Sequence, residues 1–241
     1  MLTCCARNSI EREQAMNSEE RYVPALGYDL LTGLYDPVVA LTTRERTFKR
    51  RLIQQVDVRE NHSVLDLACG TGTLAVWIKQ RVPGAHIVGI DGDPRILLLA
   101  RQKAQKSGID IVFDHGVSTN LPYESASFDR VVSSLFFHHL SHEDKACTVQ
   151  EVFRVLKPGG EFHVADWGKP QNALMRALFV VVRSLDGFAI TRDNVQGKLP
   201  ELFRNGGFED VEVRDEIATA FGTMALYAMK KRVSLSEEGV E

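Results

Sequence analysis

The sequence predicts an α/β protein built on a doubly wound, mostly parallel sheet. Three observations carry that expectation. From Val64 to Trp167 short apolar runs alternate with segments of helical periodicity, the pattern that lays helices on both faces of a sheet. The first run, VLDLACGTG over Val64 to Gly72, drives straight into a glycine turn and then into the helical pattern Leu74 to Lys79. The second run ends on an acid, Asp91.

Taken in order, the first strand is expected over Ser63 to Leu67. Its helix runs from Thr73 to Val82, where Pro83-Gly84 stops it. The second strand is His86 to Ile90, ending at Asp91. Asp93 then serves as N-cap, with Pro94 at the first helical position, and Ser107-Gly108 closes that helix. A third strand is expected over Asp110 to Phe113, followed by a loop from His115-Gly116-Val117-Ser118 to Leu121-Pro122-Tyr123. The fourth strand is Phe128 to Ser133. The helix Ser141 to Leu156 carries Val149, Val152, Phe153 and Leu156 at helical spacing. Lys157-Pro158-Gly159-Gly160 reads as a hairpin-like stop before a fifth strand, Glu161 to Ala165. Asp210 to Val213 and Thr219 to Lys230 read as two further strands that close the sheet.

Outside this core, Tyr22 to Val56 reads as helical and Asn172 to Leu185 as an apolar helix after strand five. The expected organisation is one domain over 59–232 with an N-terminal helical cap over 21–58. The first 20 residues are polar and expected to be mobile, as is the tail 233–241.

The 241 residues are 44% apolar and 25% charged, the composition of an ordinary soluble globular protein. A net charge of −3 argues against a strong attraction to nucleic acid or to anionic membrane. The apolar run Ala177 to Val182 between Arg176 and Arg183, which no other exceeds, falls far short of the roughly 20 residues that span a bilayer. Cys4, Cys5, Cys69 and Cys147 are too few and too scattered for a disulfide scaffold or a zinc site, which suggests a reducing, cytoplasmic setting. His138 and His142 stand four residues apart with no third ligand, so no metal site is expected.

The glycine turn calls for a nucleotide-like ligand, because its backbone can approach a guest closely. Gly70-Thr71-Gly72-Thr73-Leu74-Ala75 fits the dinucleotide fingerprint, with Asp91 about 20 residues on, and so admits an NAD-dependent dehydrogenase. Asp66 discriminates. A carboxylate on the strand that enters the turn opposes a pyrophosphate and welcomes a sulfonium or an amino group. This favours S-adenosylmethionine (SAM) over NAD, and no Tyr-x-x-x-Lys pair stands where a dehydrogenase needs one.

Four linked motifs then form a resemblance: VLDLACGTG, IVGIDGDPRIL, NLPYESASFDRVVSSLFFHHL and VLKPGGEFHVADW, in order over about residues 60–168. The chain resembles the class I SAM-dependent methyltransferases, close to the ubiquinone/menaquinone-biosynthesis branch, and its N-terminal YDLLTGLYD is also similar. The resemblance implies a Rossmann-like, seven-stranded sheet whose last strand is antiparallel. It implies that Asp66 holds the amino end of SAM, and that Ala68, Gly70 and Gly72 line its methionine part, with Cys69 as the small residue in the turn. Asp91 would take the ribose hydroxyls, Gly92 and Asp93 would flank the adenine, and Ser134 and Leu135 would sit under the sulfonium. One position departs from the family: Gly116 is followed by Val117 where an acid usually accepts from adenine. Ser118 or a backbone carbonyl would then take that part.

Methyl transfer is in-line displacement, and a base is needed only when the nucleophile must lose a proton. His138 and His139 follow strand four and are candidates for that base; the plainer alternative is that they position the loop. Tyr28 and Tyr35 would close over the methyl donor and orient the acceptor, or simply pack. Asp166, ending strand five, is a candidate substrate contact or a cap for the adjoining turn. Arg44, Arg46, Lys49, Arg50 and Arg51 form a charge run, either a solvated helix face or a contact for phospholipid headgroups in transient membrane contact. With the apolar 172–185 segment, this favours a small, lipophilic acceptor such as a quinone precursor or an aminophospholipid. Arsenite fits poorly, because the cysteines form no spaced set. A non-catalytic SAM-binding protein is the alternative from another class, and the intact glycine turn, Asp66 and Asp91 speak against it.

Overall fold

The computed structural model describes residues 44–172, 175–177, 179–180 and 190–233. Element numbers below refer to these described residues. The order is α1 (Glu45–Val56), β1 (Ser63–Leu67), α2 (Thr73–Arg81), β2 (His86–Asp91), α3 (Pro94–Lys106), β3 (Val112–His115), β4 (Phe128–Ser134), a 3-10 turn (Phe137–His139) and α4 (His142–Val155). β5 (Leu156–Trp167), α5 (Arg192–Gln196), α6 (Leu199–Asn205), β6 (Glu209–Ala218) and β7 (Thr223–Lys230) follow.

β1 is apolar at every position except Ser63 and Asp66, and a strand of that kind must be covered on both faces. Leu65 and Leu67 point into a core with Val131, Phe162, Val164, Val149 and Phe203. Val64 points the other way, with Val132, Leu74, Ala75, Phe48 and Leu52. The α1 stripe Phe48, Leu52, Ile53 and Val56 has the spacing of one helix face and seals that second layer. The seven strands run β3-β2-β1-β4-β5-β7-β6. β7 is antiparallel to both β5 and β6, while the pairs among β1 to β5 are parallel. This is the expected sheet. It gathers the C-terminal ends of β1, β2 and β4 along one edge.

Several boundaries differ from expectation; β6, expected over Asp210 to Val213, runs on to Ala218 because it stays paired with β7 as far as Thr223. β3 begins at Val112 rather than Asp110, since pairing with β2 starts only at Val88–Val112 while Ile109 and Ile111 pack on the core as a link. β5 begins at Leu156, so Lys157-Pro158-Gly159-Gly160 is a bulge inside the strand and not a stop. Pairing with β4 jumps from Phe128–Leu156 to Arg130–Glu161. The excess residues are held by Asp129, whose carboxylate takes Lys157 Nζ at 2.8 Å, and by the Gly159 amide on Lys231 O at 2.9 Å. β7 begins at Thr223, because Thr219 to Gly222 is the hairpin turn from β6, closed by Thr219 N on Gly222 O at 2.8 Å.

The expected cap over Tyr22 to Val56 is described only in α1; the rest of it lies outside the described residues, with Tyr28 and Tyr35. The expected helix Asn172 to Leu185 lies largely outside them too. Its Phe179 is buried against Trp167, ring centroids 5.2 Å apart. Among the described residues no helix is long and apolar enough to cross a membrane.

Candidate cofactor site and active site

β1 ends in a turn made of left-handed residues: Ala68 at φ 55°, Gly70 at 53° and Gly72 at 73°. A Cβ on Gly72 would stand 2.9 Å from the Phe113 ring, so that position demands glycine. Gly70 has nothing within 4 Å of its would-be Cβ among the described residues and therefore faces open space. The Cys69 amide donates to Ile90 O at 3.0 Å and the Gly72 amide to Cys69 O at 2.9 Å. Lys103 reaches over from α3 to the Thr71 and Thr73 hydroxyls at 2.7 and 2.6 Å.

Two carboxylates bracket the turn. Asp91 Oδ2 accepts the Gly70 amide at 2.9 Å and its Oδ1 accepts the Asp93 amide at 3.0 Å. Burial raises the Asp91 carboxyl above its ordinary range, against the pull of those same amides. Asp66 is 1% exposed. Its Oδ2 accepts the Ala75 amide at 3.0 Å, and its Oδ1 is buried with no partner among the described residues. Burial pushes its pKa up to about 7, with the Lys49 charge opposing. Burial, then the charges of Asp66 and Asp91, also push the Cys69 thiol up. Cys69 is thus a neutral filler, not a nucleophile.

This turn suits a cationic guest. A pyrophosphate needs loop amides, and those of Gly70 and Gly72 are already spent on Asp91 and Cys69. An orphaned carboxylate oxygen is costly to bury unless a donor arrives, and an ammonium is such a donor. The residues therefore fit SAM.

Beside the turn, the Asp93 carboxylate caps α3 by accepting the Arg95 amide at 2.8 Å. His115 Nε2 donates to Gly92 O at 3.0 Å, a neighbour of this corner with no motif to announce it. Val117 is 54% exposed. The Ser118 hydroxyl bonds Thr148 of α4 at 2.8 Å, because the loop folds back onto that helix.

Past β4, Ser134 leads into Leu135, which adopts φ 55° with its amide on Ala165 O at 2.9 Å. Everything after it hangs on Asp166. Oδ2 accepts the Phe136 and Phe137 amides at 3.0 and 2.7 Å. Oδ1 takes His138 Nδ1 at 2.8 Å, the Trp167 amide at 2.7 Å and Asn194 Nδ2 at 3.1 Å. Asp166 is 0% exposed. Of the two roles open to Asp166, substrate contact or cap, the geometry gives the cap: it is sealed off and saturated by the 3-10 turn that follows β4. Burial alone would raise its carboxyl; the His138 charge and hydrogen bond outweigh that and hold it below the ordinary range.

Because an ionised Asp166 can only accept, His138 Nδ1 carries a proton toward it. His138 is buried and its ring lies 4.0 Å from that of His139. Burial, and then the His138 charge, push His139 down to about 3, so it stays neutral at physiological pH. His142, on the next helix, is engaged with Asp193 at 3.0 Å. Sequence reasoning missed Asn194, since a lone Asn in a short helix carries no signal. It bridges Asp166 and Trp167 O.

Comparison with known proteins agrees with this geometry. Residues 64–160 match the family described as a methyltransferase domain. A demethylmenaquinone methyltransferase of Thermus thermophilus is 36% identical over 154 residues, 64% of this chain and 67% of the relative. One from Deinococcus radiodurans is 36% identical over 152 residues, 63% of this chain but only 60% of the relative, so the match spans less than two thirds of that protein. The solved structure of the YcgJ protein from Bacillus subtilis shares the fold at TM-score 0.61 and 20% identity, covering 76% of this chain and 97% of that one. The chain belongs to the class I SAM-dependent methyltransferases. Within that class, the relatives just described place its sequence beside proteins named demethylmenaquinone methyltransferases.

Proposed function

We propose that this protein transfers a methyl group from SAM to a small, lipophilic acceptor of the quinone-precursor class. The observation that carries the reading is the Gly70 turn bracketed by Asp66 and Asp91, with Asp66 Oδ1 buried and unpartnered among the described residues. The names of the 36%-identical relatives support the acceptor class.

When bound, SAM supplies a methyl carbon already activated by its sulfonium. The protein's part is to bind, orient and exclude water. Asp66 takes the amino group, and Ala68, Cys69, Gly70 and Gly72 form the floor under the methionine part. Asp91 accepts from the ribose hydroxyls through lone pairs that the Gly70 and Asp93 amides leave open. Gly92, Asp93 and Val117 flank the adenine, and Ser134 and Leu135 lie beneath the reacting centre. The nucleophile of a reduced quinone ring must give up a proton, and His138 in its neutral form is the base assigned to take it. Asp166 fixes its orientation. His139 packs on the base, while Tyr28 and Tyr35 lie outside the described residues. The cytoplasm is the proposed location.

Incubation with radiolabelled SAM and either a demethylated naphthoquinol or phosphatidylethanolamine tests this. Label in the quinol supports the proposal. Label in the ethanolamine lipid, or in neither, contradicts the acceptor class.

A further inference from the structure

The basic run on α1 serves none of the roles above, and the structure divides it. Lys49 pairs with Glu45 on its own helix, and Arg51 pairs with Asp215 of β6 at 2.6 Å. Arg46 and Arg50 instead line a groove of about 530 Å³ between α1 and α2, together with Ile53, Gln54, Trp77, Gln80 and Arg81. The spacing produces it: Arg46, Arg50, Ile53 and Gln54 share one face of α1, and Trp77, Gln80 and Arg81 share one face of α2. Ile53 is buried and forms an apolar base, Trp77 is half-buried, and the arginines and glutamines are exposed.

Among the described residues no acid lines this groove, and none of its three arginines forms an ion pair. Arg46 and Arg50, four apart, repel each other across one helical turn. An overall charge of −3 makes three unneutralised guanidiniums in one concavity a local reversal of the protein's field. Guanidinium is the group that meets phosphate oxygens two at a time, and the glutamine amides add neutral donors. Trp77 offers a flat apolar wall to whatever carries the phosphate. On α2, Trp77 lies about one turn and Arg81 about two turns beyond Thr73, so the groove stands apart from the glycine turn.

We propose that the α1–α2 groove is a binding site for a phosphate-bearing ligand, held by Arg46, Arg50 and Arg81 with its apolar part against Trp77. The phosphate can belong to a free phosphoester or to an anionic lipid headgroup, and the two are separable. The full chain is titrated calorimetrically with pyrophosphate. In parallel it is sedimented with vesicles of phosphatidylglycerol or of phosphatidylcholine.

Saturable pyrophosphate binding without vesicle retention assigns the site to a soluble ligand. Retention on phosphatidylglycerol but not phosphatidylcholine assigns it to a headgroup, and both together support the shared chemistry. Arg50→Ala and Arg81→Ala are each expected to weaken the interaction about ten-fold or more, and salt to weaken it further. Arg51→Ala removes the same charge from the same helix outside the groove and is expected to change it less than about two-fold. All three variants are expected to bind SAM like the parent, which shows that they fold and keeps this test independent of the methyltransferase reading. Binding of neither probe overturns the proposal, as does equal loss in Arg51→Ala and Arg50→Ala.

Discussion

The Asp91 carboxylate at the end of β2 accepts the Gly70 amide at the end of β1, 2.9 Å away. An acid on one strand thereby holds the turn that leaves its neighbour. The pairing of Asp66 with Gly89 and of Leu67 with Ile90 sets this up, because it brings both strand ends to the same height. Conformation and recognition are thus joined in one side chain.

Asp91→Ala is expected to weaken SAM binding more than ten-fold, because two ribose hydroxyls lose a charged acceptor. The Gly70 and Asp93 amides lose theirs too, so the melting temperature should also fall. Asp91→Asn keeps one acceptor oxygen and should recover most of the stability while leaving affinity impaired. Calorimetry and thermal melts on the pair separate the two roles.

Gly70 and Gly72 are expected to behave oppositely. Both have left-handed φ, which costs a side chain about 1–2 kcal/mol. Gly72→Ala also drives a Cβ to 2.9 Å from the Phe113 ring, and should destabilise the fold more than Gly70→Ala. Gly70→Ala meets open space in the protein, so its main loss should be in SAM affinity. Chemical denaturation read beside SAM titration checks this.

Affinity for SAM should rise with pH. Asp66 has its pKa pushed up to about 7, and an ammonium favours its ionised form. Binding near neutral pH should therefore release a proton, and affinity should grow about ten-fold from pH 6 to pH 8. Without ligand the sign for stability is reversed. The raised pKa contributes stability that is full below 3.8 and is lost as pH rises through about 7. Asp66→Asn should flatten both profiles, and titration in buffers of different ionisation enthalpy measures the proton directly.

The Asp166 network makes a further prediction. Asp166→Ala strands buried donors and should cost on the order of 3 kcal/mol, a drop of roughly 10 °C in melting temperature. His138→Gln should leave SAM affinity intact and lower kcat by ~10²-fold or more. His139 acts on acid stability instead. Its pKa is depressed from 6.5 to about 3, so the stability it contributes is present above 6.5 and is lost as pH falls from there. His139→Gln should hold its melting temperature better than the parent between pH 7 and pH 5.

Much of the fold was legible because strand, turn and helix signals coincided. β1, β2 and the Asp93-Pro94 start of α3 stand where apolar alternation and capping chemistry put them. The bulge at Lys157 to Gly160 was misread because Pro158-Gly159-Gly160 signals a break, whereas Asp129 and Lys231, distant in sequence, hold it inside a strand. The same limit applies to the site. Asp66 and Asp91 are announced by the strands that carry them. Asp166 reads as a strand-end acid suited to a substrate contact or a cap, and only the folded chain brings Phe136, Phe137, His138 and Asn194 to saturate it.

The central claim is that this turn holds SAM. Calorimetric titration of the full chain with SAM, S-adenosylhomocysteine and NAD tests it most directly. Micromolar binding of both adenosyl ligands, none of NAD, and loss of SAM affinity in Asp91→Ala are the predicted result. Binding of NAD alone would contradict the account.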